Sequence, residues 1–208
     1  MQDISDRIKQ IAKEAEPELI SIRRELHQYP ELGINLPKTH EIISRELKKI
    51  PNLKVREHMA GGYGIIAELQ GKKAQGKNIL LRADIDALPL EEQVDCDYKS
   101  THPGKMHACG HDGHATWLIG AAKILARLTG EFGGCIRFAF QPGEEVGLGA
   151  DTMILEDKVL EEPKIDMAFA AHGWPSVQSG KIGIVRRYAF GCVGGFQVKI
   201  TGKKGHAS

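Results

Sequence analysis

The sequence predicts an α/β protein, with a mixed, mostly parallel sheet carrying helices on both faces and then the start of a smaller α+β domain. Three observations point there. Apolar residues recur at helical spacing in Ile4, Ile8, Ile11, Ala12 and Ala15. Short apolar runs such as Ile79-Leu80-Leu81 suit strands buried on both faces. The two kinds of segment alternate along the chain.

The first helical pattern is interrupted at Pro17 and resumes through Leu19, Ile20, Ile22 and Leu26. It ends before Tyr29-Pro30-Glu31-Leu32-Gly33. Pro37 suits the first turn of a second helix over 38–49. Strands are expected over 53–59 and, after the Gly61-Gly62 turn, over 64–69, with a third over 78–85. A helix over 111–128, a strand over 135–140, a short helix over 151–160 and a strand over 165–171 follow. Such sheets bind ligands beyond the carboxyl ends of their strands. Asp84 and Asp86, Glu144 and Glu145, and His172 each follow a strand candidate.

From Gly183 the texture changes. Segments 184–188 and 193–201 read as strands separated by glycines, with no helix between them. The expected division is a first domain over 1–182 and a second beginning at 183. A strand pair alone is marginal, so the chain is expected to be a piece of a longer protein.

A length of 208 residues suffices for a real core. The formal net charge of +1 gives no global field to gather nucleic acid or an anionic membrane, so neither is expected as a partner. No apolar run is long enough to span a bilayer, and the charged, amphipathic start lacks the design of a signal peptide. A cytoplasmic location follows as the default. Cys96, Cys109, Cys135 and Cys192 do not resemble a disulfide framework, so each is expected to be a core thiol, a reactive thiol or a metal ligand.

The chemistry gathers in His107-Ala108-Cys109-Gly110-His111-Asp112-Gly113-His114. Thiolate and imidazole are favoured ligands of borderline transition metals. The glycine between Cys109 and His111 lets the backbone bend so that both can face one ion. In Gln141-Pro142-Gly143-Glu144-Glu145, the Pro-Gly turn can aim two carboxylates at the crevice, one as ligand and one as proton carrier. His172, in Ala171-His172-Gly173-Trp174-Pro175, offers a further imidazole. In Arg82-Ala83-Asp84-Ile85-Asp86, the alternation puts both aspartates on one face. They can be ligands or partners of Arg82. Asp86 is better suited to holding the far nitrogen of a metal-bound imidazole.

Taken together, RADIDALP, HACGHDGH, QPGEE, AAHGWP and KKGHAS resemble the amidohydrolase branch of the dinuclear aminoacylase/carboxypeptidase metallopeptidase family. That branch includes hippurate hydrolases, N-acetyl-amino-acid deacetylases and hydrolases of indoleacetyl–amino acid conjugates. The resemblance implies two divalent metal ions (Zn, Mn, Ni or Co), with Cys109 bridging them and His111, Glu145 and His172 as further ligands. It implies that Glu144 is the general base and that His206, in a smaller dimerisation domain, steadies the substrate carbonyl oxygen. It implies cleavage of the amide bond of a small N-acyl amino acid by a metal-bound hydroxide, and a homodimer. Relatives outside the branch have histidine where Asp84 stands, and the family's last metal-binding histidine has no match here. A metallo-dipeptidase or carboxypeptidase of the same family is the nearest alternative, and a non-catalytic metal-binding relative the next. A redox role for Cys109 lacks a Cys-x-x-Cys partner.

Overall fold

The computed structural model describes residues 3–186, 191, 196–203 and 205. Helices α1 (Ile4–Gln28) and α2 (Pro37–Lys48) come first, and then strands β1 (Lys54–Met59), β2 (Gly64–Gln70) and β3 (Ile79–Asp84). Helix α3 (His111–Ala126), strand β4 (Cys135–Gln141), helix α4 (Ala150–Leu155) and strand β5 (Met167–Ala170) follow. The five strands form one sheet in the order β1-β2-β4-β3-β5. It is mixed, as the alternation predicts. Parallel pairing belongs to β3 with β4 and with β5, whereas β2 runs antiparallel to both β1 and β4.

The central strand is β4, buried along its whole length. On one face of the sheet Ile65, Ala67, Leu69, Ala83 and Phe138 pack with Ile22 and Leu26 of α1, Ile42, Ile43 and Leu47 of α2, and Leu118, Ile119 and Ala122 of α3. On the other face Ile66, Leu80 and Ala139 pack with Met153 of α4 and Val159 in the loop beyond it. Arg137 of β4 anchors that loop, although it is fully buried: Nε donates to Glu68 Oε1 at 2.7 Å, and the guanidinium donates to the carbonyls of Val159, Glu161 and Glu162 at 2.7–3.0 Å.

One expectation is corrected. Helix α1 runs unbroken through Pro17. Pro17 and Lys13 are both exposed, so the Lys13 carbonyl that loses its intrahelical donor faces solvent while Ile11, Ile22 and Leu26 stay buried. The strands expected at 184–188 and 193–201 lie partly outside the described residues. Their described residues lie in no strand, and a smaller α+β domain is not evident among the described residues. The chain divides into compact units after Gly173. In the second unit Ile182, Ile184, Phe196 and Ile200 are at least 85% exposed, so alternation there is not matched by an apolar face to bury. No helix among the described residues is long and apolar enough to cross a membrane.

A buried ionic cluster ties α1 to α3. His27 Nδ1 donates to Asp112 Oδ2 at 2.6 Å and Nε2 donates to Glu92 Oε1 at 2.9 Å, with Arg23 Nε 3.0 Å from the same Asp112 oxygen. A ring that serves two carboxylates with both nitrogens is an imidazolium. The Asp112 hydrogen bond raises the His27 pKa above its usual value, against burial and with help from Glu92. Burial opposes the charge of Asp112 and of Glu92, yet hydrogen bonding, from His27 and for Glu92 also from the Ser100 backbone, holds both below their usual pKa. Replacing His27 by Ala strands two buried carboxylates and is expected to cost about 3–5 kcal/mol in urea unfolding at neutral pH. The His27 contribution is complete below about pH 6.5, its unfolded pKa, and is lost as pH rises through the raised folded value. An unfolding free energy that does not fall between pH 6 and the alkaline limit relative to His27→Ala contradicts this assignment.

Candidate metal centre

Three loops and one helix start converge at the carboxyl edge of the parallel strands. Helix α3 begins at His111, and its N-cap, Gly110, is left-handed with φ 88°. That conformation suits glycine, and it provides the bend expected between Cys109 and His111. Gly143 makes the matching turn after β4 with φ 72°. A Cβ there would lie 2.8 Å from Ile34 Cγ2 and would be strained at this φ, so glycine suits the turn that carries Glu144 and Glu145.

The structure brings Cys109, His111, Glu144, Glu145 and His172 together. Ligand-type atoms of Cys109, His111 and His172 lie within 4.8 Å of one another, and so do those of His111, Glu144 and Glu145. Cys109 Sγ is 3.5 Å from His172 Nε2. His111 Nε2 is 3.6 Å from Glu145 Oε1 and 4.0 Å from Glu144 Oε2. The two His111–carboxylate separations are long for hydrogen bonds, while the sulfur–nitrogen distance is within hydrogen-bond reach. The separations of 3.5 and 3.6 Å match the edge of a tetrahedron with metal–ligand bonds of 2.0–2.3 Å, about 3.3–3.8 Å, whereas the 4.0 Å to Glu144 exceeds it.

Polar bookkeeping gives the same answer. Both ring nitrogens of His111 and Oε1 of Glu145 are buried without a hydrogen-bond partner. Orphaned buried polar atoms need an explanation, and an ion is one. Burial disfavours charge on His111, but Asp86, Asp84 and Glu145 surround it and raise its pKa. Burial and then the Glu145 charge push the Cys109 thiol up to about 12. A thiol among carboxylates ionises readily only beside a cation. The donor set, thiol with imidazoles and carboxylates, therefore fits divalent metal.

Asp86 is buried just beyond β3. Its two oxygens accept the backbone N–H groups of Glu144 and Glu145 at 3.0 and 3.2 Å, and Oδ1 is 3.5 Å from His111 Nδ1. Asp84 is also buried and meets a half-buried Arg82 at 2.8 Å, so the carboxylate lies inside instead of in the surface pair the sequence allowed. Burial opposes the Asp84 charge, but the hydrogen bond from His114, with the charges of His111 and Arg82, lowers its pKa to about 2. His107 is buried beside the centre, in none of the ligand groups, and burial lowers its pKa to about 4. His206 lies outside the described residues.

Sequence reasoning assigned no role to His114, which the structure places between Asp84 and the His172 loop. Its signal was present: His111 and His114 are three apart on one helix and so share a face. His27 and Glu92 left no comparable signal, because 65 residues separate them.

The model of peptidase family M20/M25/M40 matches residues 80–205. The chain is 42% identical over 193 residues to the N-acetyl-L-cysteine deacetylase of Bacillus subtilis, an alignment covering 93% of this chain and 45% of that protein. It is 35% identical to thermostable carboxypeptidase 1 of Saccharolobus solfataricus, with 99% and 52% covered. In structure it resembles a dinuclear metal binding peptidase of the M20 family from Bacillus subtilis, with a TM-score of 0.73, 38% identity, and 79% and 44% of the two chains covered. The chain thus spans about half the length of the curated relatives it matches. With the matched region reaching from β3 past the end of β5, and so containing every residue of the centre just described, the chain belongs to peptidase family M20/M25/M40.

Proposed function

We propose that the full protein hydrolyses the amide bond of N-acyl amino acids at a dinuclear centre held by Cys109, His111, Glu145 and His172. The observation that carries this reading is the convergence of a thiol, two imidazoles and two carboxylates from segments up to 63 residues apart, around orphaned polar atoms. A pair of divalent cations (Zn, Mn, Ni or Co) held there would supply Lewis acidity toward the scissile carbonyl and a bound water. Glu145 is the more enclosed carboxylate, with 18% of its side chain exposed, and it takes the ligand role. Glu144, with 42% exposed and its backbone held by Asp86, can meet solvent and substrate. It takes the proton from the attacking water and delivers it to the leaving amine. His206 is assigned the substrate carbonyl oxygen on its motif.

The surface next to Glu144 is apolar. Ile34, Val146 and Leu148 are each 45–56% exposed, and Ile34 and Leu148 crowd Gly143 from opposite sides in the chain. This favours an apolar acyl group or side chain in the substrate. The likeness to a carboxypeptidase supports a second reading, release of a C-terminal amino acid from a peptide. A panel of N-acyl amino acids against N-blocked dipeptides separates the two, since dipeptide turnover without N-acyl turnover selects the second.

Glu144→Gln is expected to keep metal content and to lower kcat by at least about 10²-fold; near-normal turnover removes Glu144 from the proton-transfer role. Metal loading is expected to release protons and to weaken as pH falls, because the ion must displace the Cys109 proton. Calorimetry in buffers of different ionisation enthalpy measures that release, and Cys109→Ala lowers both the release and the metal stoichiometry. An unchanged stoichiometry rejects Cys109 as a ligand. Val146→Asp is expected to lower kcat/KM for hexanoyl or benzoyl substrates by about 10-fold more than for acetyl ones, and equal losses place the apolar surface away from the acyl group.

A further inference from the structure

The chain from Arg82 to His172 fixes proton positions one after another. Arg82 donates to Asp84 Oδ2 at 2.8 Å and, through Nε, to Gln141 Oε1 at 2.9 Å, so the Asp84 carboxylate cannot rotate freely. Its other oxygen, Oδ1, is 2.6 Å from His114 Nδ1. On the opposite side of the same ring, the backbone N–H of Gly173 donates to His114 Nε2 at 2.8 Å. An N–H can only donate, so Nε2 must carry the lone pair. The proton of the neutral ring is then on Nδ1 and points at Asp84. Gly173 also has its carbonyl oxygen 2.6 Å from His172 Nδ1. A carbonyl can only accept, so His172 is likewise protonated at Nδ1, and it turns Nε2 toward Cys109 Sγ.

We infer that His114 is a positioning residue: held by Asp84, it pins the Gly173 peptide by its N–H, and that peptide's carbonyl sets the tautomer and orientation of His172. The inference rests on the metal-centre reading above. It also excludes His114 itself as a ligand. Asp84, His111 and His114 form a third group with ligand atoms within 4.8 Å, but both His114 nitrogens are already engaged. The device answers a need of this fold. All four residues of β5 are exposed, so the strand that leads to His172 has little packing of its own to fix its end. The His114 ring sits 4.5 Å from the His172 ring and 5.3 Å from that of Trp117, on a helix buried against the sheet. It therefore references the ligand to α3.

The test begins on the metal-free full-length protein with ring-¹⁵N histidine. His114 and His172 should both show the Nδ1–H tautomer, and an Nε2–H form at either overturns the relay without any variant being made. The second arm compares His114→Phe, His114→Ala and His114→Gln by chelator competition and by the visible spectrum of bound Co²⁺, with urea unfolding alongside. Phe and Ala should weaken the more sensitive metal site by about 10–100-fold and alter its Co²⁺ spectrum. Gln, whose amide can donate to Asp84 and accept from Gly173, should recover most of that affinity. Phe matching wild type in affinity overturns the inference, and so does Gln falling as far as Ala at equal folding stability. Failure of the wild type to bind any divalent ion overturns the metal-centre reading itself, while the tautomers still report on the relay.

Discussion

The centre depends on one buried carboxylate. Asp86 accepts from two successive backbone N–H groups, those of Glu144 and Glu145, and sits beside His111 Nδ1. In water these contacts would be worth little. In the interior a carboxylate without partners is costly, and each contact is strengthened by the low local dielectric. One group thereby joins the end of β3, the turn after β4 and the start of α3. Neutralising it would free the turn that presents both glutamates and leave the His111 ring without its neighbour.

The same arrangement sets up an electrostatic imbalance. Asp84, Asp86, Glu144 and Glu145 surround one buried imidazole, and the nearby thiol is driven away from ionisation. Folding such a cluster without cations means bringing like charges together in a site shielded from water. A metal ion would reverse each term, since it would stabilise the carboxylates, favour the thiolate and supply partners to the orphaned nitrogens. Its binding would then be coupled to local folding, with part of the binding energy going to organise the loops. The His27 cluster behind α3 is the opposite design, with an imidazolium and Arg23 set against Asp112 and Glu92, so that charge is balanced by the protein itself. Adjacent residues His111 and Asp112 thus face two different electrostatic regimes from one helix turn.

This contrast explains what could be read in the sequence. Alternating helix and strand patterns gave the mixed sheet, ligand-type residues just after apolar strands marked Glu144, Glu145 and His172, and the Cys-Gly-His motif marked Cys109 and His111. Those signals are local, since each motif carries its residue types within a few positions. Partnerships between distant residues have no local trace. Nothing in the string reveals that His27 sits between Asp112 and Glu92, or that Asp84 is buried on His114 instead of standing at the surface with Arg82. Pro17 misled for a related reason. A proline breaks a helix where its lost hydrogen bond cannot be replaced, and whether that carbonyl faces solvent is a tertiary fact.

Strand direction, finally, decides where chemistry can stand. The three mutually parallel strands β3, β4 and β5 all end at one edge, where the end of β3 and the residues after each strand contribute Asp84 and Asp86, Glu144 and Glu145, and His172 in turn. The antiparallel pair β1 and β2 contributes none of them. A parallel strand must return by a crossover, and the crossovers from β3 to β4 and from β4 to β5 contain α3 and α4. Every return therefore delivers a fresh loop to the same edge, and in one case a helix N-terminus as well. The hairpin β1–β2 returns through a tight turn and has no such loop to offer. It covers α2 and extends the sheet beside β4. Placing His172 after the exposed edge strand β5 is the weak point of this geometry, because sheet packing alone does not hold that end. A hydrogen bond from its loop to a helix buried on the sheet resolves the difficulty, and His114 is where such a bond is found.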